Sequence, residues 1–150
     1  MKKIIVMFVS LLIISACSDD DNARQKSEVR LEYDFYTLDN AIFDGFDAET
    51  TNFDITDSPE NEHVLRLTFA QIDAMPDGTY TLHAPFEDDY DPNVHFAGGA
   101  LYPAFGEPQI LFLSGTVTFS RSGSGYKIVF DIETTEGSLE GTYIGPISQQ

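Results

Sequence analysis

The sequence is poor in cysteine and in positive charge, and each shortage excludes a class of protein. Cys17 is the one cysteine among 150 residues, so the chain cannot form an internal disulfide and depends on packing for its stability. Lysine and arginine number 8 against 25 aspartates and glutamates, which gives a formal net charge of −17. Such an acidic surface is repelled by phosphate backbones. We therefore exclude nucleic acid as a partner.

Long apolar segments and the common motifs of catalysis are also missing. The stretch Ile4–Ile14 is apolar except for Ser10, and at about 1.5 Å per residue it spans only about half of a 30 Å hydrocarbon core. The chain has no Gly-x-Ser-x-Gly elbow and no phosphate-binding glycine loop. We therefore expect neither a permanent transmembrane helix nor an enzyme.

The segment 1–16 has the layout of a secretory signal peptide. Two lysines begin it, the apolar stretch follows, and Ile14, Ser15 and Ala16 precede Cys17. A branched apolar residue and two small residues before a cysteine resemble the lipobox of bacterial lipoproteins. The resemblance implies that Cys17 becomes the first mature residue and carries two or three acyl chains, which hold a protein on a membrane where one chain holds it only marginally. An ordinary cleaved signal peptide is the alternative.

An acidic run follows the cysteine. Residues Ser18–Asp21 resemble the export signal that Bacteroidetes lipoproteins use to reach the outer face of the outer membrane. The alternative is a solvated tether whose acidic residues have no role in export. The segment 17–27 has no apolar periodicity, and we interpret it as the lipidated cysteine and a flexible acidic linker. The resemblance thus implies an outer-membrane protein that is lipid-anchored and exposed on the cell surface.

Residues 28–150 contain several segments in which polar and apolar residues alternate, as in half-buried strands. The alternation is clearest in "EVRLEYDFY", "VLRLTFA", "GTYTL", "GTVTF" and "YKIVFDIE", and the turn sequences "MPDG" and "SGSG" lie between some of them. We find no amphipathic helix in this range. We therefore predict one all-β domain, an antiparallel β-sandwich or small barrel of about seven to nine strands.

The segment 113–147 carries a second resemblance. It combines a Gly-Thr-Val-Thr strand, a glycine turn, a strand that contains tyrosine and a final Gly-x-Tyr-x-Gly-Pro strand. This arrangement resembles the closing part of small Bacteroidetes lipoproteins of unknown function. Because the shared residues belong to turns and the core, the resemblance implies a fold and a surface location but no active site.

The irregular stretch 84–108 holds four of the seven prolines together with many acids, and we look there for function. Its acidic run places oxygen ligands at alternating positions, as a calcium ion requires. We take Asp88, Asp89 and Asp91 as the candidate ligands. The run departs from the EF-hand pattern because Val94 stands where that loop needs glycine. A solvated acidic loop is the alternative, and we expect no cofactor other than this possible calcium ion.

Aromatic residues in the same stretch suggest a candidate ligand site. Phe86, Tyr90 and Tyr102 could stack on the apolar face of a sugar while neighbouring acids accept hydroxyl protons. Tyr90 lies between two aspartates, and we expect it to be the most exposed of them. The alternative is that Phe96, Tyr102 and Phe105 pack beneath the loop as a satellite core.

The histidines give no pattern of their own. His63, His83 and His95 lie on separate segments, without the close spacing of a zinc site on a single element. We expect them to be strand-edge or loop histidines, unless two or more converge in space.

These observations favour a non-catalytic binding or structural module on the outer membrane, with a surface protein or a glycan as its partner. The first alternative is a glycan-capture accessory protein, with or without calcium. The second is a small glycoside hydrolase that uses acids of the 87–91 loop. An exposed platform around Tyr90 would favour glycan capture, and a deep cleft with a carboxyl of raised pKa would favour the hydrolase. Buried aromatics with a flat apolar patch would favour a protein partner.

Overall fold

The computed structural model describes residues 27–45, 49–57, 63–104 and 106–149, and these residues form twelve β-strands and no helix. The strands are β1 (Glu28–Leu31), β2 (Asp34–Thr37), β3 (Asn40–Phe43), β4 (Thr50–Thr56), β5 (Val64–Ala70), β6 (Gly78–Leu82), β7 (His95–Phe96), β8 (Gly98–Tyr102), β9 (Ile110–Ser122), β10 (Gly125–Thr134), β11 (Gly137–Gly145) and β12 (Ile147–Gln149). The predicted all-β class is confirmed. The sequence predicted fewer strands than the structure contains, because strands such as β7, with two residues, are too short to show alternation.

The strands form one curled, mixed sheet. Its order is β12-β3-β4-β5-β8-β9-β10-β11-β1-β2, with β6 paired to β9 and β7 paired to β6. Strand β12 runs parallel to β3 and β7 runs parallel to β6, whereas the other described pairs are antiparallel. Within the described ranges, no helix is long and apolar enough to cross a membrane.

The long strand β9 joins two sections of the sheet. One section contains β12, β3, β4, β5 and β8, and the other contains β10, β11, β1 and β2 together with β6 and β7. The first residues of β9 pair with β8, and the rest of the strand pairs with β10 and β6. Gly115 has a φ of 123°, and a Cβ added to it would lie 2.3 Å from the carbonyl oxygen of Asp131. Only glycine fits this conformation and this close approach. Gly115 pairs with Ile132, and the register between β9 and β10 shifts immediately afterwards, between Glu133 and Thr134. We attribute the curl of the sheet into a half-barrel to this β-bulge.

An aromatic cluster fills the space that the curled sheet encloses. The rings of Phe53 and Phe69 approach that of Phe119 with centroid distances of 5.5 and 5.8 Å, and Tyr80 packs against both Phe69 and Phe119. All four are at most 7% exposed. The cluster links β4 and β5 on one side of the core to β6 and β9 on the other, so the two sections form one packed unit.

One predicted strand is wrong in an informative way. The alternation in "EVRLEYDFY" placed Val29, Leu31, Tyr33 and Phe35 on one buried face, but the chain turns back after Leu31. The register pairs Leu31 with Asp34, so Glu32 and Tyr33 form a two-residue turn, and Glu32 has a φ of 52°. Val29 and Leu31 are buried, whereas Tyr33 is 90% exposed and Phe35 is 64% exposed. The β1–β2 hairpin therefore presents aromatic side chains to solvent.

Candidate functional site

The hairpin turn completes a row of exposed side chains across four strands. Asp131 of β10 pairs with Glu140 of β11, Glu140 pairs with Arg30 of β1, and Arg30 pairs with Phe35 of β2. All four side chains lie on the outer face, because side chains alternate along each strand and those of Val29, Leu31, Phe130, Ile132 and Leu139 are buried. The result is a line of two carboxylates, one guanidinium and one phenyl ring on a paired, regular backbone.

This row borders an open depression of about 520 Å³ on the outer face of the sheet. The side chains that border it include those of Glu28, Arg30, Phe35, Asp131, Glu140 and Thr142. Arg30 Nη2 lies 3.1 Å from Glu140 Oε2, and each of these two side chains is about half exposed. Arg30 and Phe35 occupy paired positions of β1 and β2, so the ion pair and the phenyl ring are neighbours on this face. An apolar face beside fixed hydrogen-bonding groups is the combination that binds polar organic ligands, sugars among them.

Tyr90 is not the exposed platform that its two aspartate neighbours suggested. Its hydroxyl accepts a hydrogen bond from the Ala70 N–H at 3.2 Å and lies 3.3 Å from the Ala70 carbonyl oxygen, to which it can donate. The ring packs beside the rings of His83 and His95, and burial raises the pKa of the phenol. The predicted exposure of Tyr90 is therefore wrong, because the hydroxyl bonds the backbone at the end of β5. Phe86, at 86% exposed, is the solvent-facing aromatic of this loop.

The three predicted aromatics do not form one surface. Tyr102 ends β8 and pairs with Val64 at the start of β5, whereas Tyr90 contacts Ala70 at the other end of β5. At about 3.3 Å per residue, the length of β5 separates these two positions by roughly 20 Å. The Tyr102 ring instead lies beside Arg66, whose guanidinium carbon is 5.9 Å from the ring centroid. Phe105, which belongs to the alternative of a satellite core, lies outside the described residues.

The predicted calcium ligands are not gathered around one point either. The Asp91 carboxylate accepts hydrogen bonds from the backbone and side-chain nitrogens of Asn93 at 2.9 and 2.8 Å, which lower its pKa. Asp89 Oδ1 lies 2.7 Å from His83 Nε2, and this hydrogen bond is the main cause of the lowered pKa of Asp89. Asp88 is exposed. The aspartates thus turn to different partners within the loop.

A different set of donor atoms converges in this loop. One donor atom each from His83, Glu87 and Asp89 lies within 4.8 Å of the others. Sequence reasoning missed His83 because it ends a strand segment while the acids follow in the loop. The spacing His-x₃-Glu-x-Asp was the available signal. His63, by contrast, pairs with Asp57 at 2.8 Å across the connection between β4 and β5, away from this cluster.

The Tyr90 hydroxyl secures the loop of residues 84–94, which predicts a measurable role for it. In Tyr90→Phe, the Ala70 N–H loses its hydrogen bond, and we expect the free energy of unfolding to fall by about 1 kcal/mol. We also expect faster amide hydrogen exchange in the loop. Urea denaturation and exchange mass spectrometry measure the two effects. Tyr33→Phe is the control, because Tyr33 is 90% exposed; equal behaviour of the two variants would contradict the role of Tyr90.

Comparison with known proteins adds no relative to this picture. No protein-family model, no curated protein and no solved structure matches the chain. The outer-face depression and the residues that border it are therefore the basis for inferring the function.

Proposed function

We propose that this chain is a non-catalytic binding module that a lipid on Cys17 anchors to the outer membrane. The observation that carries the binding function is the exposed Phe35 ring beside the Arg30–Glu140 ion pair, on an open depression of the sheet. Exposed aromatic and guanidinium groups are the side chains that contribute most at binding surfaces. Because the sheet holds them in register, a ligand meets a surface that needs little ordering on binding.

The anchoring half of the proposal rests on the sequence. Cys17, the predicted signal peptide and residues 17–26 of the predicted linker lie outside the described residues. Ser27 is the first described residue, and its hydroxyl donates to the Ile144 carbonyl oxygen and accepts from the Ile144 N–H. Its carbonyl oxygen also accepts a hydrogen bond from the Leu38 N–H. Ser27, which the sequence pattern assigned to the linker, is therefore hydrogen-bonded to the sheet.

The ionisation of the acids supports binding rather than hydrolysis. A glycoside hydrolase needs one carboxylic acid whose pKa is raised so that it can protonate the leaving group. Among the described carboxyl groups with a displaced pKa, Asp57, Asp89 and Asp91, the displacement is downward in each case. For Asp57, burial opposes this change, but hydrogen bonds from His63 outweigh the burial. These groups are carboxylates at neutral pH and suit binding.

We infer that the curled sheet is a small barrel rather than a sandwich. Strand β12 follows β11 after Pro146 alone, yet it pairs with β3 at the opposite end of the strand order. The continuous segment β11–β12 therefore bridges the two ends of the order, which is the connection that closes a barrel. In this interpretation β1 and β2 extend the sheet beyond β11, and the depression lies on the outer face of that extension.

A glycan is the ligand class that the depression fits best, so glycan capture is our second candidate function. The Phe35 ring offers an apolar face for stacking on a sugar ring. Asp131 and Glu140 can accept hydrogen bonds from hydroxyl groups, and Arg30 can donate to ring or hydroxyl oxygens. The combination is the one expected in the 84–108 stretch, but it lies instead on the sheet.

Thermal unfolding of the purified protein against a panel of glycans tests this proposal. A ligand present at about one hundred times its dissociation constant adds roughly 2.7 kcal/mol to stability. We expect one glycan class to raise the melting temperature by several degrees, and we expect Phe35→Ala to abolish that rise because the stacking surface is lost. Tyr33→Ala is the matched control, since Tyr33 is an exposed aromatic of the same hairpin that does not line the depression.

Other outcomes of this experiment are equally informative. Stabilisation by no glycan would reject glycan capture and leave a surface protein as the partner of the module. Shortening of a bound glycan during incubation would overturn the non-catalytic proposal. An equal loss of binding in Phe35→Ala and Tyr33→Ala would show that the depression is not the site.

A further inference from the structure

We propose that His83, Glu87 and Asp89 form a binding site for a divalent transition metal ion, with zinc as the ion of choice. The site lies in the loop that follows β6 and does not depend on the ligand of the outer-face depression. It also differs from the calcium site that the aspartate run suggested, because one ligand is an imidazole.

The distances among the donor atoms suit an ion of this size. His83 Nε2 lies 2.7 Å from Asp89 Oδ1 and 3.6 Å from Glu87 Oε2. Tetrahedral zinc with bonds of about 2.0–2.2 Å holds its donor atoms roughly 3.4 Å apart. Movements of about an ångström, well within the reach of exposed side chains, bring the three donors to that spacing. Asp89 and Glu87 have side-chain exposures of 82% and 52%, so they can adjust and solvent can supply a fourth ligand.

Without a metal, the Glu87 carboxylate lies close to His83 but does not form a hydrogen bond with it. In the tautomer with its proton on Nε2, His83 donates to Asp89 at 2.7 Å; a bound metal would replace that proton, and Nδ1 would then carry the ring proton. Glu87 faces the same nitrogen at 3.6 Å, which is too long for a hydrogen bond. Two carboxylates therefore converge on a group that can satisfy only one of them. A divalent cation at the centre would interact with all three donors.

The imidazole that anchors the cluster is already held in place. Its ring stacks beside Tyr90 at an interplanar angle of 16° and meets the edge of His95 at a centroid distance of 4.6 Å. The backbone N–H of His83 donates to the carbonyl oxygen of Phe96 at 3.0 Å. Tyr90 in turn is bonded to Ala70. A ligand fixed by its surroundings loses little freedom when it binds a metal.

The donor set selects the class of metal. Calcium takes six to eight oxygen ligands, whereas imidazole nitrogen with carboxylate oxygen suits zinc and similar first-row ions. His95 is not a fourth ligand, because its Nδ1 accepts a hydrogen bond from the Asp91 N–H at 2.9 Å. In the neutral ring the proton is then on Nε2, and it cannot shift to Nδ1 to free Nε2 for a metal while that hydrogen bond is kept. The chain's formal charge of −17 further favours a cation.

Calorimetric titration of the metal-free full chain with zinc tests the proposal. We expect one zinc ion per chain, and we expect the dissociation constant to rise at least tenfold in both His83→Gln and Asp89→Asn. His63→Gln is the matched control, because His63 is also paired with a carboxylate at 2.8 Å but lies outside the cluster. Its affinity for zinc should equal that of the wild type.

Two further measurements keep the test decisive. Asp89 is largely exposed, so Asp89→Asn should melt at the wild-type temperature, and lost zinc binding in that variant then reports on the ligand itself. A titration with calcium should give no comparable heat. Failure of the wild type to bind zinc, or unchanged affinity in both cluster variants, would overturn the proposal. Because Phe35 lies in another part of the fold, neither result bears on the depression.

Discussion

Replacing Cys17 with serine is expected to move the protein from the membrane fraction to the soluble fraction. The proposed anchor is a thioether-linked diacylglycerol, and a serine hydroxyl provides no sulfur for that link. Two or three acyl chains hold a protein stably on a bilayer. The measurement is the share of protein that sediments with membranes, together with the incorporation of labelled fatty acid.

Ser18→Ala is the control for this variant. It changes the neighbouring residue and leaves the sulfur in place, so we expect it to stay with the membranes and to take up label. The Cys17→Ser protein should do neither. Membrane attachment of Cys17→Ser at the wild-type level would contradict the lipid anchor.

The regular strands were predictable because burial on one face imposes a period of two. In β5, Leu65, Leu67 and Phe69 are fully buried. Ile128 and Ile132 of β10 follow the same rule. These residues touch the core whichever strands lie beside them, so their orientation needs no knowledge of topology.

The hairpin at Glu32 was not predictable in the same way. Two-residue turns usually contain glycine or asparagine because a positive φ is costly for other residues. Here Glu32 adopts a φ of 52°, and its N–H donates to the carbonyl oxygen of Ser138 at 3.4 Å. A contact with a residue so distant in sequence leaves no local signal. The alternation continued across the turn by chance, and the exposed Phe35 was therefore missed.

For the acidic loop, composition predicted solvent exposure but not the contacts that its side chains make. Its acids and aromatics indicated a polar, exposed region, and Phe86 and Asp88 are indeed exposed. The pattern could not reveal that Tyr90 bonds to Ala70, twenty residues earlier in the chain. It also could not reveal that His83 faces Asp89, because that contact depends on how the loop turns. Which donor atoms come together in such a loop depends on its three-dimensional path, and the sequence pattern does not give that path.

Phe119→Ala is expected to have the largest effect on stability. The side chain is 1% exposed, and its ring packs against those of Phe53, Phe69 and Tyr80. Removing a buried phenyl ring costs about 3–5 kcal/mol, since apolar burial is lost and a cavity remains. A domain of this size is stable by only about 5–15 kcal/mol, so the loss is a large fraction of the total. Urea denaturation at equilibrium measures it.

Leu113→Ala is the control on the same strand. Leu113 is 62% exposed on the outer side of β9, so its truncation should change the free energy of unfolding by no more than about 0.5 kcal/mol. The contrast tests the architecture as well as the side chain, because Phe119 joins the two sections of the sheet across the core. If the sections did not face each other, Phe119 would be solvent-accessible, and the two variants would unfold at similar urea concentrations.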